Sequence, residues 1–168
     1  MKFKSKIGPY SFDLVDGNFV YAGNDISRLI DIFSQPGFSD LFGGREMNRE
    51  AVKRYLNWAK NGVVGDRYYL HLVRDENNII VGGFDVQKKD SESASIGFWK
   101  DSFSHITMTK VVLELVEKCK NYGLTELDAY TDPNNVKAMT LLDRCGFLKK
   151  GEVEGRTKKL VKFLKKLD

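Results

Sequence analysis

Hydroxyl and basic side chains gather just ahead of a predicted helix, where they could bind a phosphate group. The hydroxyls belong to Ser102, Ser104 and Thr107, and positive charge could come from Lys100, His105 and Lys110. The first backbone N–H groups of a helix have no partner within it and lie at the positive end of its dipole, so anions bind there. An ordinary helix cap without a ligand explains the same residues equally well, and that alternative stays open.

Three side chains on or beside predicted central strands could accept a proton. Asp85, Glu92 and His71 could each relay a proton through water, as a general base does. Each of them could instead be an ordinary surface charge. No metal site is predicted, because His71 and His105 are far apart and neither has a second histidine or a cysteine three or four residues away.

Length and composition indicate one domain covering residues 1–168, with a substantial core. We expect a cytoplasmic protein, because no apolar run reaches membrane-spanning length and the start lacks the apolar segment of a signal peptide. Cys119 and Cys145 lie on apolar helix faces, which favours core packing over a disulfide. The net charge of +4 is uneven: residues 149–168 hold eight basic and three acidic residues. A basic end can attract phosphates or nucleic acid, but a solvated face is the simpler interpretation.

These residues must be positioned by a mixture of strands and helices, which hydrophobic periodicity and turn signals outline. Asp16-Gly17 predicts a hairpin turn, Asn61-Gly62 a helix end, and Asp132-Pro133 an N-cap followed by the first helical residue. Helices are predicted from about 25 to 34, 48 to 60, 106 to 122 and 132 to 145. Strands are predicted at 10–15, 18–21, 67–73, 79–86, 93–99, 126–131, 147–153 and 159–167, the last of which could instead be a short basic helix.

The order of these elements predicts a mixed sheet of the α/β class. An antiparallel meander ends at the strand 93–99, and a helix then leads to the strand 126–131. A strand, a crossover helix and a second strand form a parallel, right-handed unit.

The same stretch carries the residues of a known family pattern. They are Ile96-Gly-Phe-Trp99, Thr109, Asp132-Pro-Asn-Asn135 and Leu141-Leu-Asp-Arg-Cys-Gly-Phe147. The chain resembles the GNAT-type N-acetyltransferases, in particular the ribosomal-protein N-terminal acetyltransferase-like branch, which acetylates protein N-termini and small amines. The resemblance implies a GNAT-like acyl-CoA N-acyltransferase fold with a central six- or seven-stranded sheet and about four helices.

The resemblance also implies acetyl-CoA as the acetyl donor and assigns residues to it. The pantetheine arm would pair with the backbone at the strand end and contact Asn135, and the pyrophosphate would lie at the start of the helix. The residues implied are Phe98, Trp99, Lys100, Ser104, His105, Ile106, Thr107, Met108, Thr109 and Asn135. The chain departs from the family's pyrophosphate loop, since Phe103 replaces Arg or Gln, and Ile106 and Met108 replace small residues.

The acceptor and the proton transfers follow from the same resemblance. The connection between the first two helices would line the acceptor site through Phe38, Phe42 and Arg45, although a connector with a hydrophobic plug fits the sequence too. Tyr130 is the phenol that could protonate the leaving thiolate, with a half-buried sheet tyrosine as the alternative. Asp85 and Glu92 remain the candidate bases.

The function implied is transfer of the acetyl group of acetyl-CoA to a primary amine of a small molecule or a protein N-terminus. The alternative is a non-catalytic GNAT-fold domain that binds a ligand or a protein and has lost normal CoA binding. Nucleic-acid binding through the basic C-terminal segment is the least favoured hypothesis. Phe163 is the one aromatic residue among the basic residues of 149–168. We expect an amine or peptide substrate and no membrane partner, and we allow for a homodimer.

Overall fold

The computed structural model describes residues 1, 6–38, 46–155 and 158–168, and it contains eight strands and four helices in that part of the chain. The helices are α1 (Asp25–Phe33), α2 (Arg49–Val64), α3 (Met108–Lys120) and α4 (Val136–Arg144). The strands are β1 (Lys6–Ile7), β2 (Tyr10–Leu14), β3 (Tyr68–Arg74), β4 (Ile80–Lys88), β5 (Ser93–Lys100), β6 (Glu126–Thr131), β7 (Leu148–Glu154) and β8 (Lys159–Lys166).

The strands form a mixed sheet in the order β1-β2-β3-β4-β5-β6-β8-β7. β5 and β6 are parallel, whereas β6 with β8 and β7 with β8 are antiparallel. This confirms the predicted mixed α/β sheet with four helices. Seven strands have five residues or more, as the resemblance implied, and β1 adds a two-residue edge pairing.

The chain divides into two compact units by its backbone contacts. The N-terminal unit contains the described residues up to Asp85 together with Trp99–Ile106, and the C-terminal unit contains Val86–Phe98 and Thr107–Asp168. The prediction of one domain over residues 1–168 remains a prediction.

The core of the N-terminal unit is built from the apolar faces of α1 and α2 and from β3. α1 buries Ile26, Leu29, Ile32 and Phe33, which recur at helical spacing. Every residue of β3 is buried, which is typical of a strand covered on both faces. Asn48 caps α2, since its side-chain oxygen accepts a hydrogen bond from the Ala51 N–H at 3.0 Å.

A buried ion cluster fastens β3 to the start of α1. The Arg74 guanidinium donates to both carboxylate oxygens of Asp25 at 2.8 Å, and its Nε donates to Asp13 at 2.5 Å. These hydrogen bonds, chiefly the one to Asp25, raise the pKa of Arg74, while burial opposes the rise. The guanidinium therefore stays charged and pairs with two carboxylates of its own unit.

Two predicted boundaries in this unit are wrong. Residues 18–21 form no strand, because β2 pairs with β1 and β3 and the Asp16 carboxylate accepts the Asn18 N–H in a local turn. α2 continues through Gly62 to Val64, so Asn61-Gly62 does not end it. A Cβ on Gly62 would lie 2.6 Å from the Cβ of Tyr68, so close packing explains this glycine.

The C-terminal unit packs α3 and α4 beside its strands. α3 buries Met108, Val111, Val112, Leu115, Val116 and Cys119, which recur at helical spacing, and Gly123 follows the helix with φ +76°. Cys119 and Cys145 are both buried free thiols, as predicted. β8 is a strand with Val161 and Phe163 buried, so the helical alternative for this segment is wrong.

The predicted start of α4 is also wrong. The helix begins at Val136 with Asn135 as its N-cap, rather than with Asp132 as cap and Pro133 as first residue. The Asp132 carboxylate instead accepts the Asn134 N–H at 2.8 Å and pairs with Lys158 at 2.8 Å. None of the helices in the described part of the chain combines the length and apolar character needed to cross a membrane.

Candidate active site

The parallel strands β5 and β6 pair only at their beginning. Their register runs from Ser93 opposite Glu126 to Ser95 opposite Asp128. Both strands continue beyond this point, and the later residues of β6 pair with β8 on the other side. Within the C-terminal unit, the backbone of Ile96–Phe98 therefore lies past the last β6 pair. An extended ligand could hydrogen-bond there, as an added strand would.

The start of α3 presents unneutralised N–H groups. Its N-cap, Thr107, makes no side-chain capping bond, and the first turn contains no acidic residue. Thr107 and Lys110 are exposed, and Thr109 is partly exposed. Met108 is buried, so its side chain points into the core. This helix end can accept an anion through its N–H groups and dipole.

The loop that follows β5 in the N-terminal unit is organised by Asp101. This carboxylate is buried, pairs with Arg28, and accepts hydrogen bonds from Gln35 Nε2 at 2.7 Å and the Phe103 N–H at 3.1 Å. Burial alone would raise the pKa of Asp101, but these bonds from Gln35, Phe103 and Arg28 hold it below its usual range. The sequence prediction missed Asp101, Arg28 and Gln35, since nothing local signals partners that far apart in the chain.

The predicted loop residues are mostly engaged in local contacts. Lys100 Nζ donates to the Ser104 carbonyl at 3.1 Å, and the Ser104 hydroxyl accepts the Ile106 N–H at 3.1 Å. Ile106 is buried, whereas His105 is exposed. The large residue at position 106 therefore packs into the core of its unit.

Trp99 and Phe38 belong to an aromatic cluster in the core of the N-terminal unit. The Trp99 ring lies 5.0 Å from Phe33 and 6.2 Å from Phe38, centroid to centroid. A Cβ on Gly83 would lie 2.4 Å from the Trp99 ring, so a glycine is needed there. Phe38 is thus buried as a plug, while the other two predicted acceptor residues, Phe42 and Arg45, lie outside the described residues.

Asp85, one of the predicted bases, lies on β4 close to the hydroxyl groups of two tyrosines. Burial raises the pKa of Asp85 to about 7, although a hydrogen bond from Tyr68 opposes the rise. The Tyr68 hydroxyl lies 3.4 Å from the Tyr55 hydroxyl. Burial and the charge of Asp85 raise the pKa of both tyrosines, so they stay protonated. A carboxyl group that titrates near neutral pH in an aromatic environment suits general-base catalysis.

The sequence comparison decides the family. Residues 21–148 match the sequence model of the family described as "Acetyltransferase (GNAT) domain", which covers most of the chain. The chain belongs to the GNAT acetyltransferase family. A comparison with curated protein sequences gave no match.

Solved structures share the GNAT fold over nearly the whole chain. A proposed ribosomal-protein-serine acetyltransferase from Vibrio cholerae is 16% identical, with a TM-score of 0.80 and 98% of each chain covered. The ribosomal-protein-S5-alanine acetyltransferase from Vibrio fischeri is 18% identical, with a TM-score of 0.73, 99% of this GNAT chain covered and 98% of the other. The spermidine N-acetyltransferase from Vibrio cholerae, solved with CoA and spermine, is 12% identical, with a TM-score of 0.70 and coverages of 92% and 95%.

This GNAT protein is an enzyme that transfers the acetyl group of acetyl-CoA to an amine. The family assignment does not favour the alternative of a non-catalytic binding domain. The individual residues that bind the donor, accept the proton and recognise the acceptor remain predictions.

Two predicted site residues of the GNAT chain, Tyr130 and Asn135, lie in its C-terminal unit. Tyr130 is 41% exposed, and its hydroxyl donates to the buried Asp128 carboxylate at 3.0 Å. Burial and this carboxylate raise the pKa of Tyr130, with Lys89 opposing the rise, so the phenol is a weaker acid than a free tyrosine. Asn135 caps α4 by accepting the Ala138 N–H at 3.1 Å, which leaves its NH₂ group as the part that could donate to pantetheine.

Glu92 lies in the turn before β5, at the end where β5 and β6 are still paired. Its carbonyl oxygen accepts the Thr125 N–H at 2.8 Å, and its side chain is exposed. The structure gives this carboxyl group no special environment comparable with that of Asp85. Within the described part of the chain, no group of three or more His, Cys, Asp and Glu side chains could hold a metal ion.

Proposed function

We propose that this enzyme acetylates a cationic primary amine of a small molecule or a peptide, with Asp85 as the group that removes the ammonium proton. Acetyl-CoA supplies an activated acetyl thioester. The observation that carries the proposal is the position of the partly buried Asp85 carboxyl group on β4, where it accepts a hydrogen bond from Tyr68 and burial raises its pKa to about 7. The test is the pH dependence of kcat/KM, which should follow the ionisation of this group.

The residues around the β5 end and the α3 start fit the donor. The backbone of Phe98, Trp99 and Lys100 would pair with the pantetheine arm, because the pairing of β5 with β6 ends at Ser95 and Asp128. Ser104, His105, Ile106, Thr107, Met108 and Thr109 would bring N–H groups and hydroxyls to the pyrophosphate. Burial of Met108 supports this role, since its large side chain points away from solvent at the helix start.

The proton leaves the acceptor before or during attack on the acetyl carbon. An alkylammonium ion has no lone pair and cannot attack, so a base must take one proton, directly or through a water molecule. Asp85 accepts that proton in its ionised form, which predominates above pH 7. The amine nitrogen then bonds to the acetyl carbon, the carbon–sulfur bond breaks, and the nitrogen releases its second proton to solvent, from which the donor to the thiolate regains its own. The leaving thiolate takes a proton, for which Tyr130 is the proposed donor.

The surroundings of Asp85 also support a cationic acceptor. Trp58 is 53% exposed and lies against Tyr68 with ring centroids 4.2 Å apart, and it stacks on Tyr55 at 6.2 Å. Aromatic faces attract ammonium groups, so this cluster could hold an amine close to the carboxylate. Structural neighbours named for ribosomal-protein and spermidine acetylation are consistent with amine acceptors. Phe42 and Arg45 stay proposed acceptor contacts, whereas Phe38 is buried in the aromatic cluster. A cytoplasmic homodimer stays part of the proposal.

Tyr68→Phe should move the pH profile to higher pH. The Tyr68 hydrogen bond lowers the pKa of Asp85, so its loss should raise that pKa further above 7. One hydrogen bond to a charged group is worth about 1.4 kcal/mol, so we expect a shift of about one pH unit in the rising limb of kcat/KM. The plateau value of kcat/KM at high pH should change little. A profile that keeps its midpoint would show that the titrating group is not in contact with Tyr68.

A further inference from the structure

The N-terminal unit contains a pocket of about 590 Å³ that none of the proposed catalytic groups lines. It is framed by α1, the turn between β3 and β4, and the loop held by Asp101. Its volume lies within the range of small-molecule sites, roughly 300–1,000 Å³.

The charges of the pocket lining favour a cation. The lining contains one arginine against the three carboxylates of Asp75, Glu76 and Asp101, a formal charge of −2 with His105 neutral. Arg28 is already partly engaged, because it pairs with Asp101 and its Nε donates to the Ile80 carbonyl at 3.0 Å. The carboxylate of Glu76 stands exposed at the rim. An anionic ligand would therefore meet net repulsion, and a cation net attraction.

The apolar part of the lining favours an organic cation rather than a metal ion. The Phe103 side chain is 82% exposed, an unusual position for a large aromatic residue, and Ile79 is 39% exposed beside it in the lining. Tyr10 supplies a second, half-buried ring. An exposed aromatic ring next to carboxylates can hold a positively charged nitrogen through its π face and bury the apolar body of the ligand.

We propose that this pocket is a second ligand site that binds a small organic cation with an apolar body, separate from the group that Asp85 deprotonates. Phe103 provides the aromatic face, and Glu76 and Asp75 provide the counter-charge. Ser104 and His105 belong both to this lining and to the segment that leads into α3. A bound cation would therefore contact two residues that are also proposed to bind the pyrophosphate.

The test is titration of the full-length enzyme with benzyltrimethylammonium, followed by two-dimensional NMR of backbone amides and by calorimetry. This probe has no N–H proton and cannot be acetylated, so its binding is independent of the acetyl transfer. Benzyl alcohol is the neutral match. We expect the cation to change the amide chemical shifts of Ile79, Phe103 and Ser104. Benzyl alcohol should bind more weakly than the cation.

Single substitutions assign the contacts. Phe103→Ala and Glu76→Gln should each weaken benzyltrimethylammonium binding about two- to fivefold. Asp31→Asn, which removes an exposed carboxylate of α1 outside the lining, should leave binding unchanged, and so should Asp85→Asn. Asp75 is left intact, because its carboxylate accepts the Asn77 and Ile79 N–H groups at 3.0 and 2.9 Å. Equal binding of the alcohol, or no amide shifts around the pocket at millimolar probe, would overturn the proposal.

Discussion

Asp85→Asn is expected to lower kcat/KM for acetyl transfer by about 10²- to 10⁴-fold, the contribution of a positioned general base. Wild-type kcat/KM should rise about tenfold per pH unit below pH 7 and level off above it, because Asp85 acts in its ionised form and burial raises its pKa to about 7. Asparagine keeps the shape and can still accept the Tyr68 hydrogen bond, but it cannot take a proton. The variant should therefore lose the inflection near pH 7 as well as the rate.

The same substitution should stabilise the folded protein at alkaline pH. The pKa of Asp85 is raised in the folded state, so folding favours its protonated form. This stabilising contribution is fully present below the unfolded pKa of about 4 and is lost as the pH rises through about 7. At pH 8 the wild type carries a poorly solvated carboxylate. The free energy of unfolding of Asp85→Asn should therefore be higher than that of the wild type, by on the order of 2 kcal/mol. At pH 4 the two proteins should be nearly equal.

The exposed Asp31 supplies the matched control. Asp31→Asn removes the same chemical group from the surface of α1. It should change neither the pH profile of kcat/KM nor the free energy of unfolding at either pH. If Asp85→Asn retained the wild-type rate and inflection, Asp85 would not be the base, whatever its effect on stability.

Arg74→Met should destabilise the protein by about 3–5 kcal/mol, the usual effect of removing one partner of a buried ion pair. The substitution leaves Asp25, which is 2% exposed, without the guanidinium that neutralises it. Methionine fills most of the volume, so the loss would come from the charge and the hydrogen bonds. Urea unfolding measured at neutral pH gives the free energy directly.

A surface pair and a second substitution separate charge from packing. Lys53 and Glu50 form an exposed pair at 3.4 Å, so Lys53→Met should change the free energy of unfolding by less than about 1 kcal/mol. Adding Asp25→Asn to Arg74→Met should recover part of the loss, because no charge then remains buried. If the double variant were no more stable than Arg74→Met, the stranded charge would not explain the loss.

Local pattern was enough to predict most elements of the fold. β6 lies at Glu126–Thr131, where the alternation placed it, and β5 and β8 differ from their predicted ranges by a residue at one end. The parallel βαβ order followed from two strands separated by one amphipathic helix, and the family pattern over Asp132–Phe147 supplied the rest. Such signals depend on residues close in the chain, so one sequence contains them.

The errors arose where distant partners override local signals. The sequence predicts Gly62 as the end of a helix, yet Gly62 lies inside α2. Close packing against Tyr68 explains the glycine there. The sequence predicts Asp132 as a helix cap, yet its carboxylate accepts the Asn134 N–H and pairs with Lys158. Asp16-Gly17 does form a turn, but the partner of β2 is β3.

The sequence likewise predicted some residues of the candidate site and missed others. Asp85 was named from its place on a strand, but only the folded surroundings of Tyr68 and Tyr55 distinguish it from Glu92. Asp101 was missed because Arg28 and Gln35 are 73 and 66 residues away in the chain. A carboxyl group's pKa depends on burial and on neighbours that the sequence alone does not bring together.

Calorimetric titration of acetyl-CoA tests the central claim most directly, with Thr109→Asp and Thr109→Asn as the paired variants. Thr109 is in the first turn of α3, where an aspartate stabilises the helix dipole but repels a pyrophosphate. We predict saturable binding of acetyl-CoA to the wild type, at least about tenfold weaker binding to Thr109→Asp, and near wild-type binding to Thr109→Asn, with all three proteins equally folded. Absence of binding to the wild type at millimolar acetyl-CoA, or equal affinity of the two variants, would contradict donor binding at the start of α3.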